Sequence, residues 1–301
     1  MYENAQYLRK SSLILADDSG NAIDFSSLRI AFKIDRKDYS SPNSASIRVY
    51  NLSNNNANRI KNEFTKVILQ AGYQSNYGVI FKGNIKETQK GRENSTDSFV
   101  DIAAGDGDEA YNFAYVSKTL QVGASKTDQI NSAIGAMGEY GVEEGYIDDL
   151  GGQTLPRGKV LFGMSRKYLD QVSESSNSSW SIQNNQVNMI QKTSTLPESV
   201  VVLNNKTGII QTPIVTTEGI KFSCLLNPLL KIGGKVKLNN DDILDQNAEE
   251  ESSGHTLSSD GVYRILSLEH AGDNFGQEWI TNVICLDVDE TASSGDEVSP
   301  L

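Results

Sequence analysis

The first third of the chain alternates apolar residues with polar or small ones, which is the pattern of a half-buried β-strand. The alternation is clearest at four positions and returns at three later ones: Leu28, Ile30, Phe32 and Ile34, then Val79, Phe81 and Ile85. Turn-forming residues at 17–21 (DDSGN) and 73–78 (YQSNYG) separate successive runs. The pattern predicts antiparallel β structure built from hairpins.

One short helix is predicted within this β-rich part. Ser53 is a suitable N-cap, and Ala57, Ile60 and Phe64 then fall on one face at helical spacing. The segment therefore predicts a helix that buries one face.

The middle third combines helical and strand patterns. Ile130, Ala133, Ile134 and Met137 follow a possible cap at Ser125 or Thr127 and predict a helix. A second helix is predicted over 165–176. Between and after these helices, the apolar run 159–162 and the stretch 179–190 (SWSIQNNQVNMI) predict strands, with a tight turn at Asn184-Asn185.

Strands return from about residue 200, and GVYRILSLEH, AGDNFGQ and EWITNVICLDV predict a long closing hairpin. Residues 241–260 are polar and acidic and predict a mobile loop, and the tail from about residue 290 is expected to be flexible. We therefore expect a mainly β chain with an α+β middle part. The expected domains are 1–105, a β-barrel; 106–198, mixed α/β; and 199–301, β-rich.

The bulk composition excludes several classes of protein. A formal net charge of −12 over 301 residues disfavours a surface that grips nucleic acid, because phosphate binding requires lysine and arginine. Cys224 and Cys285 have no CxxC partner, so we expect two buried, reduced thiols rather than a disulfide or zinc site. The sequence has neither an apolar leader nor a run of about 18 apolar residues. We expect a soluble protein that is made in the cytoplasm and does not insert into a membrane.

The stretch FVDIAAGDGDEAY contains the strongest candidate for a cofactor site. Gly105, Gly107 and Ala110 match the loose dinucleotide fingerprint, and the stretch also resembles the first motif of S-adenosylmethionine-dependent methyltransferases. Both readings require a parallel βαβ unit, whereas this strand follows hairpins. The acidic residues Asp106, Asp108 and Glu109 would also repel a pyrophosphate.

The same three acidic residues are suited to cap a helix N-terminus and to complement its dipole. We therefore interpret the 105–110 turn as structural. A cation held by Asp106 and Asp108 is a further alternative.

No other residues form a catalytic pattern. His255 in the acidic loop and His270 in or near the last turn lack metal-site spacing and are expected at the surface or in turns. Ser165 lacks the GxSxG context of a nucleophile and is interpreted as a helix cap. Trp180 and Trp279 are interpreted as core or interface anchors. We predict no catalytic, cofactor-binding or metal-binding residues.

Several stretches, read together in chain order, resemble the baseplate hub proteins of contractile-tailed bacteriophages, which are similar to tail-tube proteins in fold. The stretches are SIRVYNLSNNNANRI, VILQAGYQSNYGVIFKGNI, DGDEAYNFAYVSKTL, RGKVLFGMSRKYLDQV, SWSIQNNQV, TGIIQTPIVTTEGIKFSCLLNPLLKIGGKVKL and the closing hairpin. They cover nearly the whole chain, whereas the methyltransferase resemblance covers only about a dozen residues.

The hub resemblance implies a homotrimer with two tube-like antiparallel β-barrel domains in each subunit. Such a ring would join the sixfold tail tube to a threefold central spike and form part of the DNA channel. Its expected partners are the spike and the tail tube or a distal tube adaptor, with the tape-measure and baseplate wedge proteins as further candidates. It would be a virion protein of the tail baseplate, assembled in the host cytoplasm. The alternative is a methyltransferase-like enzyme using the 105–110 turn.

Overall fold

The computed structural model describes residues 8–245, 257–258 and 260–288, and antiparallel β structure dominates them. The first part of the chain forms seven strands and one helix: β1 (Arg9–Ala16), β2 (Ala22–Asp24), β3 (Ile30–Lys37), β4 (Ser44–Tyr50), α1 (Asn54–Asn62), β5 (Lys66–Tyr73), β6 (Asn76–Arg92) and β7 (Ser98–Gly105). The middle part forms α2 (Asp108–Phe113), β8 (Tyr115–Leu120), α3 (Lys126–Met137), a 3-10 turn (Gly138–Tyr140), β9 (Glu143–Ile147), β10 (Lys159–Met164), α4 (Ser165–Ser175), β11 (Ser178–Ile182) and β12 (Gln186–Gln191).

The last part returns to strands: β13 (Val201–Val202), β14 (Ile209–Thr216), β15 (Gly219–Leu225), β16 (Lys235–Lys237), a 3-10 turn (Asn240–Asp242), β17 (Leu244–Asp245), β18 (Val262–Asp273) and β19 (Trp279–Leu286). The prediction of a mainly β chain with a mixed middle part is confirmed. Residues 246–256 and 259 of the predicted acidic loop, with His255 among them, and the predicted tail from about 290 lie outside the described residues.

Local sequence signals account for the helix starts and the tightest turn. The Ser53 side chain accepts from the backbone N–H of Asn56 at the start of α1. Of the two caps predicted for α3, Ser125 is the one used, and it forms a reciprocal capping box with Asp128. Asn184 and Asn185 have φ of 57° and 63° between β11 and β12, as a type I′ hairpin requires.

One continuous sheet runs through both β-rich parts, in the order β17-β14-β15-β19-β18-β3-β4-β7-β6-β5-β1-β2. The junction is the antiparallel pair β3–β18, in register from Lys37 opposite Ser267 to Ala31 opposite Asp273. The start of β18 also pairs with β16, so this long strand belongs to both β-rich parts. The last hairpin therefore joins the first β-rich part to the last one.

The Asn274 side chain links β1 and β3, which lie near opposite ends of the strand order of the first part, β3-β4-β7-β6-β5-β1-β2. Asn274, after β18, accepts from the backbone N–H of Ile30 at 2.8 Å and donates to the carbonyl of Leu28 at 2.9 Å. Its amide also donates to the Ser11 hydroxyl of β1 at 3.3 Å. The Asn274 side chain thus joins β1 to the start of β3.

The buried apolar residues form three clusters. The first is built from the first β-rich part and also contains Leu226 and Trp279 from the last part. The second lies wholly within the middle part and the third within the last part. Since two residues of the last part fill the first cluster, the two β-rich parts share core packing as well as strand pairing.

The middle part is layered. Helices α3 and α4 pack against each other, and each also contacts both small sheets, the ribbon β8–β10 and the sheet β11-β12-β9. The helices therefore separate the ribbon from the three-stranded sheet. No helix among the described residues is long and apolar enough to cross a membrane.

One predicted strand alternation is wrong in detail. Val79 is 38% exposed, whereas Ile80 and Phe81 are both buried. A register shift in the β5–β6 pair places Val79 opposite Gln70 but Phe81 opposite Leu69, so Ile80 is the extra residue of a bulge. The bulge breaks the simple alternation.

Candidate functional site

The 105–110 turn follows a strand of an antiparallel sheet. Strand β7 pairs antiparallel with both β4 and β6, so the parallel βαβ unit required by a dinucleotide or methyltransferase site is not formed here. Gly107 is the N-cap of α2 at φ +63°, and a Cβ on it would lie 2.8 Å from Cγ2 of Ile182. A left-handed backbone and close packing against β11 account for this glycine.

The sequence suggested that Asp106 caps α2, and the structure shows that it does not. Its carboxylate instead accepts from the backbone N–H groups of Asn184 at 2.5 Å and Asn185 at 2.6 Å, so it fixes the β11–β12 turn. The residue is 1% exposed, and this burial raises the pKa of Asp106 to about 6 against the opposing effect of those hydrogen bonds and of Arg36. Asp108 and Glu109 do lie in the first turn of α2, where they complement the helix dipole.

A cation site at this turn would require the Asp106 and Asp108 carboxylates to face the same point. Each carboxylate instead has its own hydrogen-bond partners. Asp108 accepts from Nζ of Lys86 at 2.9 Å, whereas Asp106 is enclosed by the backbone donors of the hairpin turn. Among the described residues no group of three or more histidine, cysteine, aspartate or glutamate side chains could hold a metal ion.

Around Asp106 lies a buried polar network that connects the first and middle parts. Arg36 of β3 donates from Nε and Nη2 to Oε1 of Gln183, at 3.0 and 2.8 Å. Asn43 donates to the same oxygen at 3.0 Å and to the carbonyl of Ile182 at 2.8 Å. Burial lowers the pKa of Arg36, and the Asp106 carboxylate opposes that shift. Hydrogen bonds from Arg36 and Asn43 to Gln183 and Ile182 therefore tie the first part to β11 and the turn that follows it.

A second buried network centres on Arg264 of β18 and connects all three parts. Its Nη2 donates to Oδ2 of Asp38, just after β3, at 2.5 Å, and to Oγ of Ser179 in β11 at 3.0 Å. Its Nη1 donates to the carbonyls of Gln191 at 2.8 Å and Ser194 at 3.1 Å. The Arg264 side chain is fully buried, so this ion pair is removed from water.

The burial of Arg264 could not be predicted from its neighbours in the chain, because a charged residue in the strand VYRILSL has the pattern of an ordinary solvent-facing position.

The structure corrects the interpretations of His270 and Ser165. His270 lies within β18, is fully buried, and has Nδ1 at 2.9 Å from Oγ1 of Thr281. Burial lowers the pKa of His270 to about 3, so the imidazole is neutral at physiological pH. Ser165 is the first residue of α4, after the N-cap Met164, and its buried hydroxyl has no hydrogen-bond partner. Neither residue therefore plays the role predicted for it.

The cysteines and tryptophans are core residues, as predicted. Cys224 and Cys285 are buried free thiols on the adjacent strands β15 and β19, and burial raises the pKa of Cys224 to about 12. Trp180 donates from Nε1 to the Asp170 carboxylate at 2.7 Å. Trp279 packs edge-on against Phe32 with ring centroids 5.5 Å apart.

One face of the continuous sheet carries small and polar side chains, and two of its basic residues are paired with carboxylates. Across the β3–β18 junction, Lys33 lies 2.8 Å from the Glu269 carboxylate. Across β4 and β7, Arg48 lies 2.7 Å from the Asp101 carboxylate. Glu269 in turn accepts from Asn282 of β19 at 3.0 Å. We call this surface the paired polar face, and it extends from the first β-rich part into the last.

Comparison with solved structures identifies the fold. A 43 kDa tail protein of prophage MuSo2 from Shewanella oneidensis superposes with a TM-score of 0.61 at 8% identity, covering 93% of this chain and 98% of that one. A tail protein from Neisseria meningitidis MC58 gives 0.60 at 7% identity, with 93% and 97% coverage.

An E. coli component of the type VI secretion system, described as structurally similar to the T4 bacteriophage tail proteins gp27 and gp5, gives 0.51 at 8% identity, with 93% and 77% coverage. No protein-family model and no curated protein sequence matches the chain.

These likenesses extend over nearly the whole chain and define the protein as one with the fold of phage tail proteins. The resemblance to tail hubs drawn from the sequence is thereby confirmed for the fold. Since the identities are 7–8%, they carry no information on individual residues.

Proposed function

We propose that this protein is a structural component of a phage-type tail, namely a baseplate hub that joins the tail tube to a central spike. The observation that carries the proposal is the single sheet through both β-rich parts, formed by the β3–β18 pair, in a chain that shares the phage tail fold over 93% of its length. This sheet fixes the two β-rich parts side by side as one unit.

In the proposed assembly three chains form a closed ring, and each chain contributes its two β-rich parts, 1–105 and 199–301. Six similar modules then match a sixfold tube while the ring itself keeps the threefold symmetry of the spike. Each β-rich part has its own apolar cluster, which supports this division, and 106–198 forms a third domain around the remaining cluster. Heterologous contacts of this kind close into rings when the rotation permits.

The channel of this ring would conduct DNA without holding it. The paired polar face supports that role, because Lys33 and Arg48 on it are each engaged by a carboxylate on the same face. A wall with few free cations gives phosphates little to bind, since counterion release depends on unpaired lysine and arginine. We further propose a net negative lumen, in keeping with the charge of −12.

The remaining assignments follow from the hub role. The direct partners are the central spike and the tail tube or a distal tube adaptor, with tape-measure and wedge proteins as further neighbours. The chain is a virion component assembled in the host cytoplasm and has no catalytic role. The structural environment of the 105–110 turn supports the last point, because packing requirements explain its glycine at 107.

Two measurements test the proposal. Multi-angle light scattering of the chain, alone and co-expressed with a candidate central spike protein, is expected to give three times the subunit mass of 32.9 kDa in at least one condition. Negative-stain electron microscopy is then expected to show rings with an open centre. A monomer in both conditions would contradict the hub assignment. Gel-shift titration near physiological salt is expected to show no duplex binding.

A further inference from the structure

The outer face of the β8–β10 ribbon exposes an unusual amount of apolar surface. Tyr115 and Phe162 lie on this face with ring centroids 5.1 Å apart, and Val160 lies beside them two residues from Phe162. The exposed fractions along the ribbon and just beyond its ends are 64% for Phe113, 47% for Tyr115, 68% for Val122, 67% for Val160 and 68% for Phe162. Clustered apolar exposure of this kind marks an interaction site rather than ordinary surface.

The segments that form and flank the ribbon are a basic region of an acidic protein, and two of their basic residues, Lys118 and Lys159, lie on the ribbon's strands. Residues 115–127 and 151–169 contain no aspartate or glutamate, and they carry six basic residues: Lys118, Lys126, Arg157, Lys159, Arg166 and Lys167. None of the six forms a salt bridge within the described part of the chain. Since the whole chain has a net charge of −12, the remainder of the sequence has a net charge of −18.

An acidic strand edge lies on the other side of the helix layer from the ribbon. Strand β9 ends the order β11-β12-β9, and the described residues provide no strand on its outer side. Glu143 and Glu144 on this strand and Glu139 just before it are all exposed. Strands β8 and β10 likewise pair only with each other among the described strands. Open edges of this kind are sites of pairing between chains.

The opposite charges of the ribbon and the β9 edge cannot meet within one chain, because α3 and α4 lie between the two sheets. They can meet between copies, and the contact is heterologous because one copy offers its ribbon and the next its β9 edge. Aromatic and basic side chains could also receive a nucleic acid. The excess of 18 negative charges over the rest of the chain disfavours that occupant and favours another copy.

We propose that the β8–β10 ribbon of one copy docks on the acidic β9 edge of a second copy of this chain. This inference rests on the proposed ring, in which neighbouring copies meet through unlike surfaces, and assigns one of those contacts to the middle part. The apolar outer face supplies buried area, and the opposite charges set the orientation.

Charge reversal on each side, followed by its combination, tests the contact. Lys118→Glu with Arg157→Glu, or Glu143→Lys with Glu144→Lys, is expected to weaken self-association of the full chain at least tenfold, measured by sedimentation equilibrium. A chain that carries all four changes is expected to self-associate within about threefold of the wild-type strength, because the charges are then exchanged between the two surfaces. Raising the salt concentration is expected to weaken the wild-type contact.

Apolar variants supply a second readout with a matched control. Val160→Ser with Phe162→Ser is expected to weaken association to a similar extent. Phe275→Ser removes a side chain that is 73% exposed outside the ribbon, and it is expected to leave association unchanged. Melting curves of all variants verify that they fold.

The outcomes separate this inference from the hub assignment. A trimer that is unaffected by every ribbon and β9 variant would overturn the docking surface and leave the ring intact. A wild-type chain that stays monomeric alone and with the spike would overturn both. Gel-shift binding of a 20-nucleotide single strand or duplex that is lost in the Lys118→Glu and Arg157→Glu chain, with association unchanged, would assign the ribbon to nucleic acid instead.

Discussion

Replacing Arg264 with methionine is expected to destabilise the protein strongly, because its guanidinium is the centre of a network that spans all three parts of the chain. The substitution keeps most of the side-chain volume and removes four hydrogen bonds, to Asp38, Ser179, Gln191 and Ser194. Asp38 then keeps the Ser179 hydroxyl, at 2.8 Å, but loses its counter-ion.

The expected loss is about 3–5 kcal/mol, the range for removing one partner of a buried ion pair. The Asp38 side chain is only 8% exposed, so water cannot replace the lost charge. With an unfolding entropy of about 2.1 cal/mol/K per residue, a chain of 301 residues has about 0.6 kcal/mol/K in total. The melting temperature is therefore expected to fall by about 5–8 °C.

Differential scanning calorimetry and urea unfolding measure this loss, and Arg29→Met is the matched control. Arg29 also pairs with an aspartate, Asp273, at 2.7 Å, but its side chain is 43% exposed. The control is expected to cost less than about 1 kcal/mol, as exposed pairs do. The double variant Asp38→Leu with Arg264→Met is expected to recover much of the loss, because no buried charge is then left unpaired. Equal effects of the two arginine variants, or an additive double variant, would refute the reasoning.

Three further results are expected. Gly107→Ala is expected to lower the free energy of unfolding in urea by about 2–4 kcal/mol, because the new Cβ clashes and the backbone is left-handed. Gly123→Ala, also at positive φ but in open space, is expected to lower it by only about 1–2 kcal/mol. His270 has a folded pKa of about 3, below its unfolded value, so it contributes stability above pH 6.5 that is lost as the pH falls toward 3. As the pH falls from 6.5 toward 3, the free energy of unfolding of the wild type should therefore fall by about 1.4 kcal/mol per pH unit relative to that of His270→Gln. Parallel pH profiles of the two proteins would contradict this. Cys224 and Cys285 are expected to react with a thiol reagent only on unfolding, and rapid labelling of the native protein would show that they are accessible.

Local sequence determined the elements whose formation depends on neighbouring residues. The caps at Ser53 and Ser125 supply oxygen acceptors to free N–H groups of the first helical turn, and they work in any tertiary setting. The Asn184-Asn185 turn is equally local, because asparagine tolerates the left-handed backbone that a two-residue hairpin needs. The alternation in β3 also predicted its buried face, since a strand in a half-solvated sheet has a period of two.

Tertiary structure alone decided which of the polar residues became buried. Asp106 was suited to cap the helix that follows it, but the β11–β12 turn, 78 residues away in sequence, brings two backbone N–H groups to its carboxylate. His270 was expected near a turn, and β18 instead continues to Asp273 because β3 pairs with it along that stretch. Local signals carry no information on such distant partners, since the hydrogen bonds and strand pairs that bury these groups form only when remote segments meet.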